Sequence, residues 1–329
     1  KINNLLLKNR IYMPAMHLSM ANEYEVGDRL IDFYVERAKG GVGMIVAGYA
    51  TVNGLAGGMP NLIGAHKDEY IAGLTRLASA IKTGGSSCAL QINHAGANAM
   101  SNFINSQPVA PSDSPGITKE IPRPLTIDEI VETIEDFGKA ALRVKQAGFD
   151  AVEVLCAGGY LISQFLSTVS NKRTDKYGGS FENRMRFGLE VMQKIRNYVG
   201  DDFPVIARIS GNEFMPGGLG RRDLQTWARN LEEKGRVDAI NVNVGWHQAK
   251  VPQITPAVPR GLYTYLSRGI KENVTIPVIG SHRINAPKVA REALANGLCD
   301  LTAVGRGLIA DPYWPEKAGT GRENEIVHC

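Results

Sequence analysis

The chain has 329 residues, 43% of them apolar, enough to bury a full core and long for one domain unless that domain is a large α/β barrel. Its 37 basic and 33 acidic side chains leave a formal net charge of +4, spread without a basic run or an aromatic ladder, which argues against a nucleic-acid partner. No apolar run approaches the roughly 18 residues needed to span a bilayer, and four dispersed cysteines (Cys88, Cys156, Cys299 and Cys329) with no CxxC pair or secretory leader point to reduced thiols and a cytoplasmic setting.

From the first residue onward, short apolar runs alternate with helical patterns. The strand candidates are "IYMPAM" (11–16), "VGMIVAG" (42–48), "CALQIN" (88–93), "DAVEVL" (150–155), "PVIARIS" (204–210), "DAINVNV" (238–244), "PVIGS" (277–281) and "LTAVG" (301–305). Most are rich in Val, Ile and Ala without polar alternation, as suits parallel strands buried on both faces. Between the fourth-strand candidate and the one before it, Thr126 and Glu129 form a capping box. It opens a helix whose stripe of Ile130, Ile134, Phe137, Ala141 and Val144 stops at Gly148. "FENRMRFGLEVMQKIRNYVG" and "APKVAREALANG" read the same way, ending at Gly200 and Gly297. Eight strand–helix units in this length predict a single (β/α)8 TIM barrel domain over residues 1–329. A doubly wound sheet would want a GxGxxG turn after an early strand, and none is present.

In such a barrel the C-terminal ends of the strands line the active site, and phosphate groups sit beside the loops after strands seven and eight. In order, those ends carry Pro14, Ala15, Met16 and His17; Gly48; Gln91, Asn93 and His94; Cys156 to Tyr160; Arg208; Trp246 and His247; Gly280, Ser281 and Arg283; and Gly305 and Arg306. Arg283, Gly305 and Arg306 can make a cationic, amide-lined cradle, because glycine lets backbone N–H groups approach an anion and guanidinium pairs with it bidentately. A phosphate-bearing ligand is expected. The scattered histidines offer no HxH or HExxH spacing for a metal.

The run "GGYLISQFLSTVSNKRTDKYGGSFENRMRF" (158–187), with "LQINHAG" (90–96), "GWHQAKVPQI" (245–254) and "GRGLIADPYW" (305–314), resembles the old yellow enzyme family of FMN-dependent oxidoreductases along essentially the whole chain. The resemblance implies FMN at the barrel mouth. Pro14, Ala15, Met16 and Gly48 would flank the flavin ring and Gln91 would meet its pyrimidine edge. Arg208 would face the N1/O2 side, and Ser281, Arg283, Gly305 and Arg306 would complete the cofactor contacts at the phosphate end. Where founding members carry a carbonyl-binding His and Asn or His, this sequence has Leu155 and Gly158, and Ala97 stands where an arginine is common. Tyr160 is kept, and "GWHQAKVP" is similar to the 2,4-dienoyl-CoA reductase branch, in which that tyrosine and the strand-six histidine, here His247, act together. "RTDKYGG" (173–179), with Arg173, Asp175 and Tyr177, is polar enough to be functional but reads as a scaffolding loop whose salt bridge and glycines fix the tyrosine helix.

That branch usually continues into a cysteine-rich segment ligating a [4Fe–4S] cluster and then into FAD and NAD(P)H domains. "GRENEIVHC" resembles the lead-in, so Cys329 would be the first cluster ligand, and a chain starting at Lys1 reads as the N-terminal part of a longer one. The expectation is an FMN-dependent reductase of an unsaturated carbonyl compound, fed by NADH or NADPH, with Tyr160 and His247 handling the proton and a homo-oligomer left open. The alternatives are an amine or other dehydrogenase of the same branch, a non-catalytic flavin-binding module, and a non-flavin phosphate-binding barrel. The last would need a lysine or carboxylate base at a strand end, for which Glu153 is the residue to check. Without the family, a Trp beside a His at a strand end is more often packing than catalysis.

Overall fold

A computed structural model describes residues 1–329. Its eight main strands are β1 (Ile11–Met13), β2 (Met44–Thr51), β3 (Ser87–Asn93), β4 (Ala151–Cys156), β5 (Val205–Ser210), β6 (Ala239–Asn243), β7 (Val278–Gly280) and β8 (Leu301–Ala303). Every neighbouring pair is parallel, and β1 pairs with both β2 and β8, so the sheet closes into the expected barrel. The helices α1 (Asp28–Lys39), α2 (Ile71–Thr83), α3 (Ile127–Gln146), α4 (Phe181–Val199), α5 (Arg221–Glu233), α6 (Thr264–Lys271), α7 (Pro287–Ala295) and α8 (Trp314–Gly319) follow their strands. None of them is long and apolar enough to cross a membrane.

Local chemistry sets the boundaries. β1 stops before Pro14, which has no N–H to give the ladder. Thr126 Oγ1 accepts from the Glu129 N–H and the Glu129 carboxylate accepts from the Thr126 N–H, which fixes the start of α3. Gly148 and Gly200 adopt positive φ just after their helices. β2 runs on beyond the predicted Gly48 to Thr51, with a register shift against β3 between Gly48 and Ala50. The two-residue strands at Ile63–Gly64, Val109–Ala110 and Arg123–Pro124 are too short to leave a periodic signal.

Two apolar regions result. Ile2, Tyr12, Met44, Val46, Ala89, Ile206 and Ile279 fill the barrel interior, while a much larger cluster packs the strands against the helices. The "RTDKYGG" loop is a scaffold, as expected. Arg173 pairs with Asp175 at 2.5 Å and donates to the carbonyls of Pro111 and Leu125, and Asp175 accepts from the Tyr177 N–H. A Cβ at Gly178 would fall 2.1 Å from the Arg173 carbonyl oxygen.

Candidate active site

Two adjoining cavities open at the C-terminal mouth. The first, about 270 Å³, is lined by Pro14, Ala15, Met16, Ser281, Arg283 and Arg306 among others, with Gly305 and Cys329. The second, about 340 Å³, is lined by residues including Leu155, Gly158, Tyr160, Trp246 and His247. Ala15, Arg208, Ile254 and His282 line both, so the two form one elongated cleft.

The first lobe is the cationic end. Arg283 Nε donates to the Val258 carbonyl at 2.9 Å and one Arg306 terminal nitrogen to the Ile254 carbonyl at 2.8 Å, leaving further N–H groups on each guanidinium for a ligand. Ser281 Oγ donates to the Val242 carbonyl and meets His282 Nδ1 at 2.6 Å. With the Ser281 proton committed, Nδ1 must carry the imidazole proton. Burial and the charges of Arg208 and Arg306 push the His282 pKa down to about 3, so it stays neutral. Gly305 lies against Pro14 and Met16, 3.5 and 3.6 Å from where its Cβ would be.

Arg208 stands at the junction. Two of its nitrogens reach the Ala15 carbonyl at 3.4 Å and Asn243 Oδ1 at 3.3 Å, but its buried Nε has no partner. An unpaired buried donor is costly, and this one borders both lobes. Beneath it the barrel holds a polar knot. Glu153 accepts from the Tyr12 hydroxyl at 2.6 Å, Gln91 Nε2 at 2.6 Å and Asn241 Nδ2 at 2.7 Å. Gln91 spends one of its two amide N–H groups on Glu153 and its carbonyl oxygen accepts no hydrogen bond within the protein, so that oxygen is an acceptor available to the cleft. Glu153, fully buried and holding three donors, is no strand-end base, which removes the residue a non-flavin barrel chemistry would have needed.

In the second lobe Tyr160 and His247 meet edge-on, ring centres 5.1 Å apart at 81°. Tyr160 follows β4 and starts a short helix, Leu161–Leu166. His247 follows β6, and its Nδ1 lies 2.5 Å from the Gly158 carbonyl oxygen, an acceptor only, so Nδ1 bears the proton and Nε2 presents a lone pair. Burial lowers the His247 pKa, keeping it neutral, and raises that of Tyr160, while the charge of Arg208 pulls the phenol back down. The pair therefore offers one proton, on the phenol, and one acceptor, on the imidazole. Gly158 fits here because its φ is +70° and a Cβ would come 3.2 Å from His247 Cε1.

All but one of the expected cofactor and proton-handling residues line the cleft. The exception is Gly48, which lies in β2 outside both lobes while its neighbour Tyr49 lines the second, edge-on to Tyr160 at 5.7 Å. His17 lines the same lobe, its Nε2 2.8 Å from Ser19 Oγ. His94 faces inward instead, its Nδ1 accepting from the Gly96 N–H. Ala97 is buried and gives its N–H to Gln164. His282, which no sequence pattern lifts above the other scattered histidines, borders both lobes, and Tyr49, Met59 and Gln253, which line the second, carry no sequence signal either. Cys329 is exposed at the edge of the cationic lobe, and no group of three or more His, Cys, Asp or Glu side chains gathers there to hold a metal.

A family model described as the NADH:flavin oxidoreductase / NADH oxidase family matches residues 1–325. A metal reductase of Desulforamulus reducens is 46% identical over 332 residues, covering 100% of this chain and 49% of that protein. An NADH oxidase of Thermoanaerobacter brockii is 44% identical over 334 residues, covering 100% and 51%. A solved structure of 2-naphthoyl-CoA reductase with 2-naphthoyl-CoA superposes with a TM-score of 0.97 at 35% identity, over 100% of this chain and 52% of that one. This chain thus spans about half the length of these relatives.

Proposed function

The chain belongs to the NADH:flavin oxidoreductase / NADH oxidase family, the old yellow enzyme family, and from that premise we propose that its barrel reduces an activated C=C bond conjugated to a ketone or an acyl thioester. The family works with FMN and NAD(P)H, and the cleft suits FMN. The cationic lobe takes a phosphate on Arg283 and Arg306, the unpartnered Arg208 Nε waits at the junction for an acceptor, and Gln91 offers a carbonyl oxygen to a ring N–H. Bound there in its reduced form, FMN supplies a hydride equivalent to the electron-poor carbon of the substrate.

The protein's part is the proton. Tyr160 gives its phenolic proton to the carbon that becomes carbanionic, and the phenolate left behind is stabilised by the nearby charge of Arg208. A phenol with a pKa near 10 is a reluctant donor at neutral pH. Solvent at the open cleft returns a proton to the phenolate, and His247 Nε2, held outward by the Nδ1–H bond to Gly158, accepts from the phenol and orients it. Leu155 and Gly158 have no side-chain donors for the substrate carbonyl, so that oxygen relies on backbone N–H groups.

The observation that carries this reading is the meeting of Tyr160 and His247 at the cationic cleft, from strand ends 87 positions apart in sequence. The test is direct. Purified protein should show flavin absorbance bands, and after anaerobic reduction with dithionite it should be reoxidised by 2-cyclohexen-1-one with formation of cyclohexanone. FMN-loaded protein that is reduced yet inert toward both that enone and an enoyl thioester contradicts the proposal.

A further inference from the structure

Behind the Tyr160–His247 pair lies an acid that no part of the chemistry above uses. Glu213 sits three residues beyond the end of β5 and is 1% exposed. Its Oε2 accepts from Ser167 Oγ at 2.7 Å and from the Leu219 N–H at 2.8 Å. The Trp246 indole N–H is buried and makes no hydrogen bond, but it lies near enough to the carboxylate to favour its charged form. No side-chain cation pairs with it. The charged groups around it are Arg184 on α4 and Asp223 on α5, acting through space.

Ser167 and Trp246 each belong to an arm that carries a reacting side chain, while Leu219 lies in the same loop as Glu213 itself. Ser167 closes the short helix that Tyr160 opens, and Tyr160 is tied to that helix through Ser163, whose hydroxyl donates to the Tyr160 carbonyl at 2.9 Å. Trp246 immediately precedes His247, and its backbone N–H donates to the Glu213 carbonyl at 3.1 Å. The Trp246 ring covers Gly159, 3.0 Å from where a Cβ would stand, and Trp246 bridges to Gly158.

We propose that Glu213 is a positioning residue for proton delivery, its carboxylate holding the Tyr160 arm through Ser167 and its backbone carbonyl holding the Trp246–His247 arm, with the Trp246 indole beside the carboxylate. The inference rests on the reading of Tyr160 and His247 given above. Charge matters to the clamp, because the hydrogen bonds from Ser167 Oγ and the Leu219 N–H, and the approach of the Trp246 N–H, are stronger toward a carboxylate than toward a neutral acid. Burial among few charges raises the Glu213 pKa from 4.5 to about 7. The clamp is therefore complete above neutral pH and loosens below it.

Two readouts test this, one of them independent of turnover. In flavin-free protein, Trp246 emission should change with pH with a midpoint near neutrality, and the change should vanish in both Glu213→Gln and Trp246→Phe. In FMN-loaded protein, reoxidation by 2-cyclohexen-1-one should fall below neutral pH. Glu213→Gln should be slower by roughly 10-fold or more and flat across that range, with flavin affinity unchanged. Ser167→Ala keeps the acid but removes a donor that favours its charged form, so both midpoints should move to higher pH. A midpoint that stays put in Ser167→Ala, or an emission change that persists in Glu213→Gln, overturns the proposal. If Tyr160→Phe reduces the enone at the wild-type rate, the proton-donor reading fails instead, and the emission titration still reports on the clamp by itself.

Discussion

Gly158→Ala tests how the site is held together. At a φ of +70° a residue with a Cβ costs about 1–2 kcal/mol, which in a chain of this size lowers Tm by roughly 1.5–3 °C. The new methyl group would stand 3.2 Å from His247 Cε1 and 3.5 Å from Nδ1, tighter than a relaxed contact, so the imidazole must back away from the Gly158 carbonyl that fixes its tautomer. Losing that hydrogen bond is worth about 0.5–1.5 kcal/mol, or up to roughly a tenfold change in a rate that depends on it. Stopped-flow reoxidation of the dithionite-reduced, FMN-loaded variant by 2-cyclohexen-1-one should therefore slow by about 3- to 10-fold, with thermal melts giving the stability loss separately. The decisive sample is Gly158→Ala combined with His247→Ala. If the substitution acts through the imidazole, the double variant reacts no more slowly than His247→Ala alone, yet still carries the strain in its Tm. Multiplying rate losses would refute the argument.

The cationic lobe should dominate flavin affinity. Removing one charge-assisted pair with Arg306→Ala costs about 1.5–3 kcal/mol, a roughly 10- to 150-fold higher Kd for FMN by fluorescence titration, and an Arg283 and Arg306 double alanine variant that keeps stoichiometric FMN through gel filtration contradicts the assignment. Because the folded-state pKa of Glu213 is raised from 4.5 to about 7, its ionisation lowers stability progressively as pH rises through that window, by ~3 kcal/mol once both states are ionised. Glu213→Gln should accordingly melt several degrees above wild type at pH 8 and show no such gain near pH 4.5; a gain independent of pH would mean that ionisation is not its cause.

Parallel strands buried on both faces leave an unbroken apolar run, and all eight were legible for that reason, as was the α3 capping box. Strand-end reasoning also found the cationic lobe, because phosphate binding needs arginine and glycine at fixed places in this fold. What it missed has physical causes. The register shift after Gly48 breaks the side-chain alternation, which brings Tyr49 rather than Gly48 to the cleft. His282 has a positive φ of 73°, so its side chain does not follow the extended strand geometry from which strand ends are read. Glu213 meets Ser167 from 46 residues away, a contact that no local pattern encodes.

The central claim is that Tyr160 delivers the proton while the rest of the cleft holds the flavin, and one measurement tests it most directly. Tyr160→Phe, loaded with FMN and reduced anaerobically, should be reoxidised by 2-cyclohexen-1-one about 10² to 10⁴ times more slowly than wild type. Ferricyanide, which takes electrons without needing a proton on carbon, should reoxidise both proteins equally fast. Equal rates with the enone, or equal losses with both acceptors, would contradict the account.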